Sequence, residues 1–168
     1  MTVSLTGRLD EQVKTYVAAT GGTMLLTSTL GDTMYVSMKN YRRLQIWIII
    51  ADGTTVTGST VTLKQATAVA GTGEKELAFS TVYKNVDYAA AKTLTATAVT
   101  SNTFTTQAVN SKISVYMMEV DSESLDVSGG FDCVRVDGTG HAATTPVGVC
   151  VIYNLWGARF SGAEALLD

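Results

Sequence analysis

Histidine and proline each occur once in this chain of 168 residues, cysteine occurs twice, and charged side chains make up only 16% of it. Each scarcity closes off a class of chemistry. A metal centre built on several imidazoles needs more than His141. General-base work by His141 needs a second, orienting group, and the loop Asp137-Gly138-Thr139-Gly140-His141-Ala142-Ala143-Thr144 supplies none, so His141 reads as an exposed loop residue. No Gly-x-Ser-x-Gly elbow surrounds a serine, and any Ser-His-Asp grouping would have to be assembled by the fold. Cys133 and Cys150 lie in separate strand-like segments without C-x-x-C spacing, which favours two buried thiols; a bridge requires that their strands be neighbours.

Long apolar runs are also missing. The longest, Leu44 to Ala51, is interrupted by Gln45 and is far shorter than the roughly 20 residues of a membrane helix, so no membrane span is expected. Met1 to Arg8 lacks the charged start, apolar stretch and small-residue cleavage site of a secretion signal, and synthesis in the cytoplasm is the expectation. Twelve basic residues against 15 acidic ones give a net charge of −3, and the basic ones are scattered. That is not the electrostatic footprint of a nucleic-acid binder, so direct contact with DNA or RNA is not expected. No repeat of 20 to 50 residues is apparent.

What the chain does contain is apolar and β-forming. Hydrophobic residues make up 46%, enough at this length for one core without metal or disulfide staples. With so little charge, Thr, Ser, Gly and Asn must cover the surface, a composition suited to a surface partly buried in partners. From Thr33 onward short Val/Ile/Thr/Tyr runs alternate with Gly, Asp and Asn, and helical periodicity is almost absent. The pattern predicts strands at Thr33–Met38, Arg42–Ala51, Ser59–Ala68, Leu77–Tyr83, Thr93–Val99, Thr103–Thr106, Lys112–Val120, Phe131–Asp137 and Val147–Trp156, with one helical turn over Ser122–Val127 capped by Ser122. Their number and spacing predict an all-β, antiparallel β-sandwich. Residues 1–32 mix charge and apolar groups and read as an extended N-terminal arm, 33–160 as the sandwich and 161–168 as a C-terminal tail.

Period-two alternation assigns faces. Leu44, Ile46, Ile48 and Ile50 are expected in the core, and Arg43, Gln45, Trp47 and Ile49 on the other face. Leu94, Ala96 and Ala98 are expected inward and Thr93, Thr95 and Thr97 outward. Val147–Trp156 is apolar on both faces, which marks a central strand or one covered by a partner. Tyr16, Val17, Tyr41, Trp47, Ile49 and Trp156 are the candidate interface residues.

The remaining clusters have structural readings. Glu119, Asp121, Glu123, Asp126 and Asp132 concentrate oxygen ligands of the kind calcium takes, yet their spacing is not that of an EF-hand, and a solvated connection accounts for them. Gly71-Thr72-Gly73-Glu74-Lys75 lacks the Gly-Lys-Ser/Thr ending of a phosphate loop and reads as a turn. Tyr41, Trp47, Tyr83, Tyr116 and Trp156 have flat faces for sugar rings, but such aromatics more readily fill a core or a subunit interface. Met34, Met38, Met117 and Met118 read as core filler. No catalytic residue, cofactor or metal ligand is expected.

Several segments, in this order, carry a resemblance: Val61-Thr62-Leu63-Lys64-Gln65-Ala66-Thr67, Gly71-Thr72-Gly73-Glu74-Lys75-Glu76-Leu77-Ala78-Phe79, Phe104-Thr105-Thr106, Tyr116-Met117-Met118-Glu119-Val120-Asp121, Leu125-Asp126, Gly130-Phe131-Asp132-Cys133-Val134-Arg135-Val136 and Leu155-Trp156-Gly157-Ala158-Arg159-Phe160. Together they resemble small proteins encoded among the head genes of tailed bacteriophages, and in particular the jelly-roll cement, or head-decoration, proteins. The resemblance covers about Tyr41 to Phe160. It implies a jelly-roll-like fold and a non-enzymatic role in the virion, on the outer surface of the head. The expected partners are the major capsid protein and further copies of the chain, as a homodimer or homotrimer. A tail or baseplate protein, or a carbohydrate-binding module for host attachment, is the alternative.

Overall fold

Alternation along the strand Tyr41–Ala51 sets the core. Leu44, Ile46, Ile48 and Ile50 are at most 1% exposed, as the period-two pattern predicts, while Gln45, Trp47 and Ile49 between them are half-buried. Each such aliphatic side chain contributes about 1.5–3 kcal/mol by leaving water. The computed structural model describes residues 13–17, 32–139, 142–143 and 148–159. His141 and the tail 161–168 lie outside the described residues, as does the expected arm apart from 13–17 and 32.

The strands are β1 (Val13–Val17), β2 (Val36–Ser37), β3 (Tyr41–Ala51), β4 (Val56–Thr57), β5 (Thr60–Ala66), β6 (Lys75–Glu76), β7 (Thr81–Asn85), β8 (Thr95–Ala98), β9 (Thr103–Thr105), β10 (Ile113–Asp121), β11 (Cys133–Thr139), β12 (Ala142–Ala143) and β13 (Gly148–Ala158). One sheet has the order β1-β13-β3-β10-β7-β8; the second has β2-β11-β5-β6, with β9 also on β5; β4 and β12 form a small ribbon. Every pairing is antiparallel. From β2 to β13 the chain repeatedly changes sheet, which makes the all-β sandwich jelly-roll-like. No helix among the described residues is long and apolar enough to cross a membrane.

Side chains of both sheets fill one core, with Val61, Leu63, Val134 and Val136 facing Ile46, Ile48, Met118 and Tyr153. One buried polar knot ties the sheets together. The Tyr153 hydroxyl bonds to Thr33 Oγ1 and accepts from Val136 N at 2.9 Å; Thr33 Oγ1 donates to Val136 O at 2.9 Å. Burial pushes the Tyr153 phenol up to about 12, so it keeps its proton and can donate.

Within the expected arm, Val13–Val17 pairs antiparallel with β13 as the outermost strand of the first sheet. Several other expectations need correction. The strand expected at Leu77–Tyr83 is divided between the sheets. Lys75–Glu76 pairs with β5 and Thr81–Asn85 with β10, and the crossover between them sends Leu77 into the core. The single turn over Ser122–Val127 is two 3-10 turns, Ser122–Ser124 and Val127–Gly129, and the side chain that caps is Asp126, which accepts from Gly129 N. In β8 the faces are reversed. Thr97 lies opposite the buried Val82, so Thr97 faces the core and Ala96 and Ala98 are exposed. Register with β7 overrides the preference of alanine for the interior. Cys133 and Cys150 are free thiols on strands of different sheets, and burial pushes Cys133 up to about 12.

The loop after β10 is pinned through Asp126. Its backbone N donates to Gln65 Oε1 at 2.9 Å, and its carboxylate pairs with Lys75 and accepts from Ser128 Oγ at 2.8 Å. Lys75 first, then Ser128 and the Gly129 N–H, hold the carboxyl at about 2 against an ordinary 3.8. A lowered carboxyl stabilises the fold fully above the unfolded value, and this is lost as pH falls through the folded one. The urea midpoint is therefore expected to drop between about pH 4 and about pH 2. Asp126→Asn should flatten that slope, and an unchanged slope would show that the pairing contributes nothing.

Candidate docking face

Directly opposed residues of neighbouring strands share a face, so the registers of the first sheet define rows across its outer side. One row is apolar across the sheet: Ile152 lies opposite Trp47, Trp47 opposite Met117, Met117 opposite Tyr83 and Tyr83 opposite Ala96. Val17 on β1 is in register with Ile152. The next row runs Cys150, Ile49, Val115 and ends at Asn85, with the 43% exposed Ile113 beyond it. Apart from the exposed Ala96 and the buried Val115, the described side chains of these two rows are half-buried, except Asn85, which is also buried.

On the other flank the rows turn polar. Thr15 donates to Asn154 at 2.9 Å, Gln45 Nε2 donates to Glu119 at 3.2 Å, and Trp47 Nε1 donates to Gln45 Oε1 at 2.7 Å. That bond satisfies the indole N–H and leaves the rest of the ring as apolar surface. Beyond it Arg43 sits 3.0 Å from Asp121 and stacks 5.1 Å from the Trp156 ring. The apolar rows thus have a polar border, as protein interfaces do.

The outer face of the second sheet is the opposite in character. Lys64 lies across from Arg135, and this like-charge pair is relieved by carboxylates: Lys64 reaches Glu74 at 2.8 Å and Asp137 at 2.7 Å, and Arg135 reaches Glu74 at 2.8 Å and Asp32 at 3.2 Å. Tyr35 donates to Glu74 at 2.5 Å. The Lys64 hydrogen bond, then that of Tyr35, hold Glu74 below its ordinary value. Asp32 and Asp137 are hydrogen-bonded to each other, which raises Asp32 and lowers Asp137. The charges of this face are spent on one another.

No family model, curated protein or solved structure matches this chain. Geometry must therefore decide which surface is functional. A cleft of about 910 Å³ holds Arg42, Arg43 and Arg159 with Asp121, Glu123 and two serines, and Arg159 donates to Ser122 Oγ at 2.5 Å. Its lining includes no imidazole or thiol that would titrate near neutral pH. The acidic residues of 119–132 do not converge either: Asp121 is paired with Arg43, Asp126 with Lys75, and Asp132 accepts from the Cys133 thiol. Among the described residues no group of three or more His, Cys, Asp or Glu is placed to hold a metal.

Of the candidate interface residues, Trp47, Ile49 and Trp156 lie on the outer face of the first sheet, and Val17 is in register with it. Tyr16 is not there: it pairs with the fully buried Tyr153 and packs against the core. Tyr41 is 4% exposed and belongs to the core. Gly157, beside Arg42, adopts φ +69°, and alternation breaks at this point: Arg42 and Arg43 are both exposed while Tyr41 turns inward. Ile152, Met117 and Tyr83 complete the apolar row without having been singled out as interface residues. The two-sided apolarity of β13 was the signal for Ile152. For Met117 it was the run Met117-Met118, which places one methionine on each face.

Proposed function

We propose that the chain is a structural protein of a bacteriophage head, a cement or decoration protein that binds the outer surface of the shell and bridges subunits of the major capsid protein. The observation that carries the reading is the asymmetry of the sandwich: two apolar rows with a polar border on the outer side of the first sheet, against a self-compensated charge network on the second. Such a clamp needs buried area and repetition by symmetry, without special chemistry. With few charges to strip of water, docking costs little desolvation. The sequence resemblance to head-decoration proteins supplies the identity of the partner.

Heads purified with and without the chain test it. Those carrying it are expected to resist heat and chelation better and to retain the protein through sedimentation. Equal resistance, or loss of the chain on washing, overturns the reading.

A further inference from the structure

The first sheet ends at β8, which among the described residues is hydrogen-bonded on one side only, to β7. Edge strands of monomeric proteins are usually guarded by lysine, proline, a bulge or a cover, because unpaired N–H and C=O groups invite another strand. From Thr93 to Thr100 this edge contains no charge, no proline and no glycine. Hydrogen-bond parity tells which groups are free. Val99 N donates to Ser80 O at 2.8 Å, so Val99, Thr97 and Thr95 exchange bonds with β7. The N–H and C=O groups of Leu94, Ala96 and Ala98 therefore point away from the sheet.

We propose that β8 is the dimerisation edge, pairing antiparallel with β8 of a second copy about a two-fold axis through Ala96. In this register Ala96 meets the partner's Ala96, and Leu94 meets the partner's Ala98 on both sides of the axis, giving about six main-chain hydrogen bonds. Thr95 lies across from the partner's Thr97, a pairing that strands favour. No like charges meet in it, so the neutral edge is complementary to itself. Parity also allows the ladder to slide by two residues, but only centring on Ala96 carries the apolar row through the axis, from Trp47, Met117, Tyr83 and Ala96 of one copy into the same residues of the other. Two six-stranded sheets then share one apolar face. The pairing does not rest on the shell reading, since the edge would behave so in any context.

Sedimentation velocity of the full chain over a range of concentrations is expected to show a monomer–dimer equilibrium. Ala96→Lys, which sets two ammonium groups across the axis, should raise the dimer dissociation constant by at least about tenfold while leaving the circular dichroism spectrum unchanged. In a Cys150→Ser background, Ala96→Cys should cross-link to itself on oxidation with copper phenanthroline and Ala98→Cys should not, because hydrogen-bonded partners lie about 5.5 Å apart at Cα. A wild-type chain that remains monomeric throughout, an Ala96→Lys protein that dimerises as tightly, or equal cross-linking of the two cysteine variants overturns the proposal. Any of these results would leave shell docking untouched, since that is read on Trp47 with purified heads.

Discussion

Tyr153→Ala is expected to be among the most damaging single substitutions in the protein, lowering the unfolding free energy by about 3–5 kcal/mol. Tyr153 is fully buried on β13 and reaches across the core to the second sheet. Truncating it opens a cavity between the sheets and removes the hydroxyl to which Val136 N and Thr33 Oγ1 are bonded. Against a total stability of about 5–15 kcal/mol, that loss would leave a marginal fold. The melting midpoint should fall by roughly 10 °C or more. Tyr153→Phe separates the two contributions. It keeps the ring, and Val136 N can still donate to Thr33 Oγ1 at 3.0 Å, so the cost should be only about 1 kcal/mol. Thermal denaturation of both variants decides the matter: if Phe costs as much as Ala, the hydrogen bonds and not the packing hold the sheets together here.

The second large effect should appear in binding and not in folding. Trp47 is half-buried in the middle of the apolar row, between Ile152 and Met117. Trp47→Arg places a charge that a docked shell would have to desolvate, and it removes the side-chain type most often found at interface hot spots. Loss of such a hot spot costs about 2–4 kcal/mol, so affinity for purified heads should fall by about 100-fold. Because the ring lies on the outer face, the melting midpoint should move little. Co-sedimentation with heads and a melting curve on the same preparation check both halves. Undiminished head binding by a folded Trp47→Arg protein would remove this face from consideration and direct attention to the arginine-lined cleft.

The expected face assignments succeeded where a strand is long and central. Leu44, Ile46, Ile48 and Ile50 alternate with Arg43, Gln45, Trp47 and Ile49, and burial of the first set on one side of a pleated strand follows from that spacing. They failed at the periphery. Ala96 and Ala98 look like interior residues in isolation, yet β8 is an edge strand whose faces are dictated by pairing with Val82 and Tyr83. Tyr41, named as an interface candidate and given no face, lies in the core, where alternation breaks beside the positive φ of Gly157.

From the sequence by itself came the all-β class, the central strands with their core faces, and Trp47 and Ile49 as apolar residues turned away from that core, because alternation within a strand is a local property. Strand order and register belong to the tertiary structure alone, since they depend on contacts between segments far apart in the chain. Those contacts align Ile152, Trp47, Met117 and Tyr83 into one row, spend the charges of Lys64, Arg135, Glu74 and Asp137 on each other, and leave β8, among the described residues, paired on one side only.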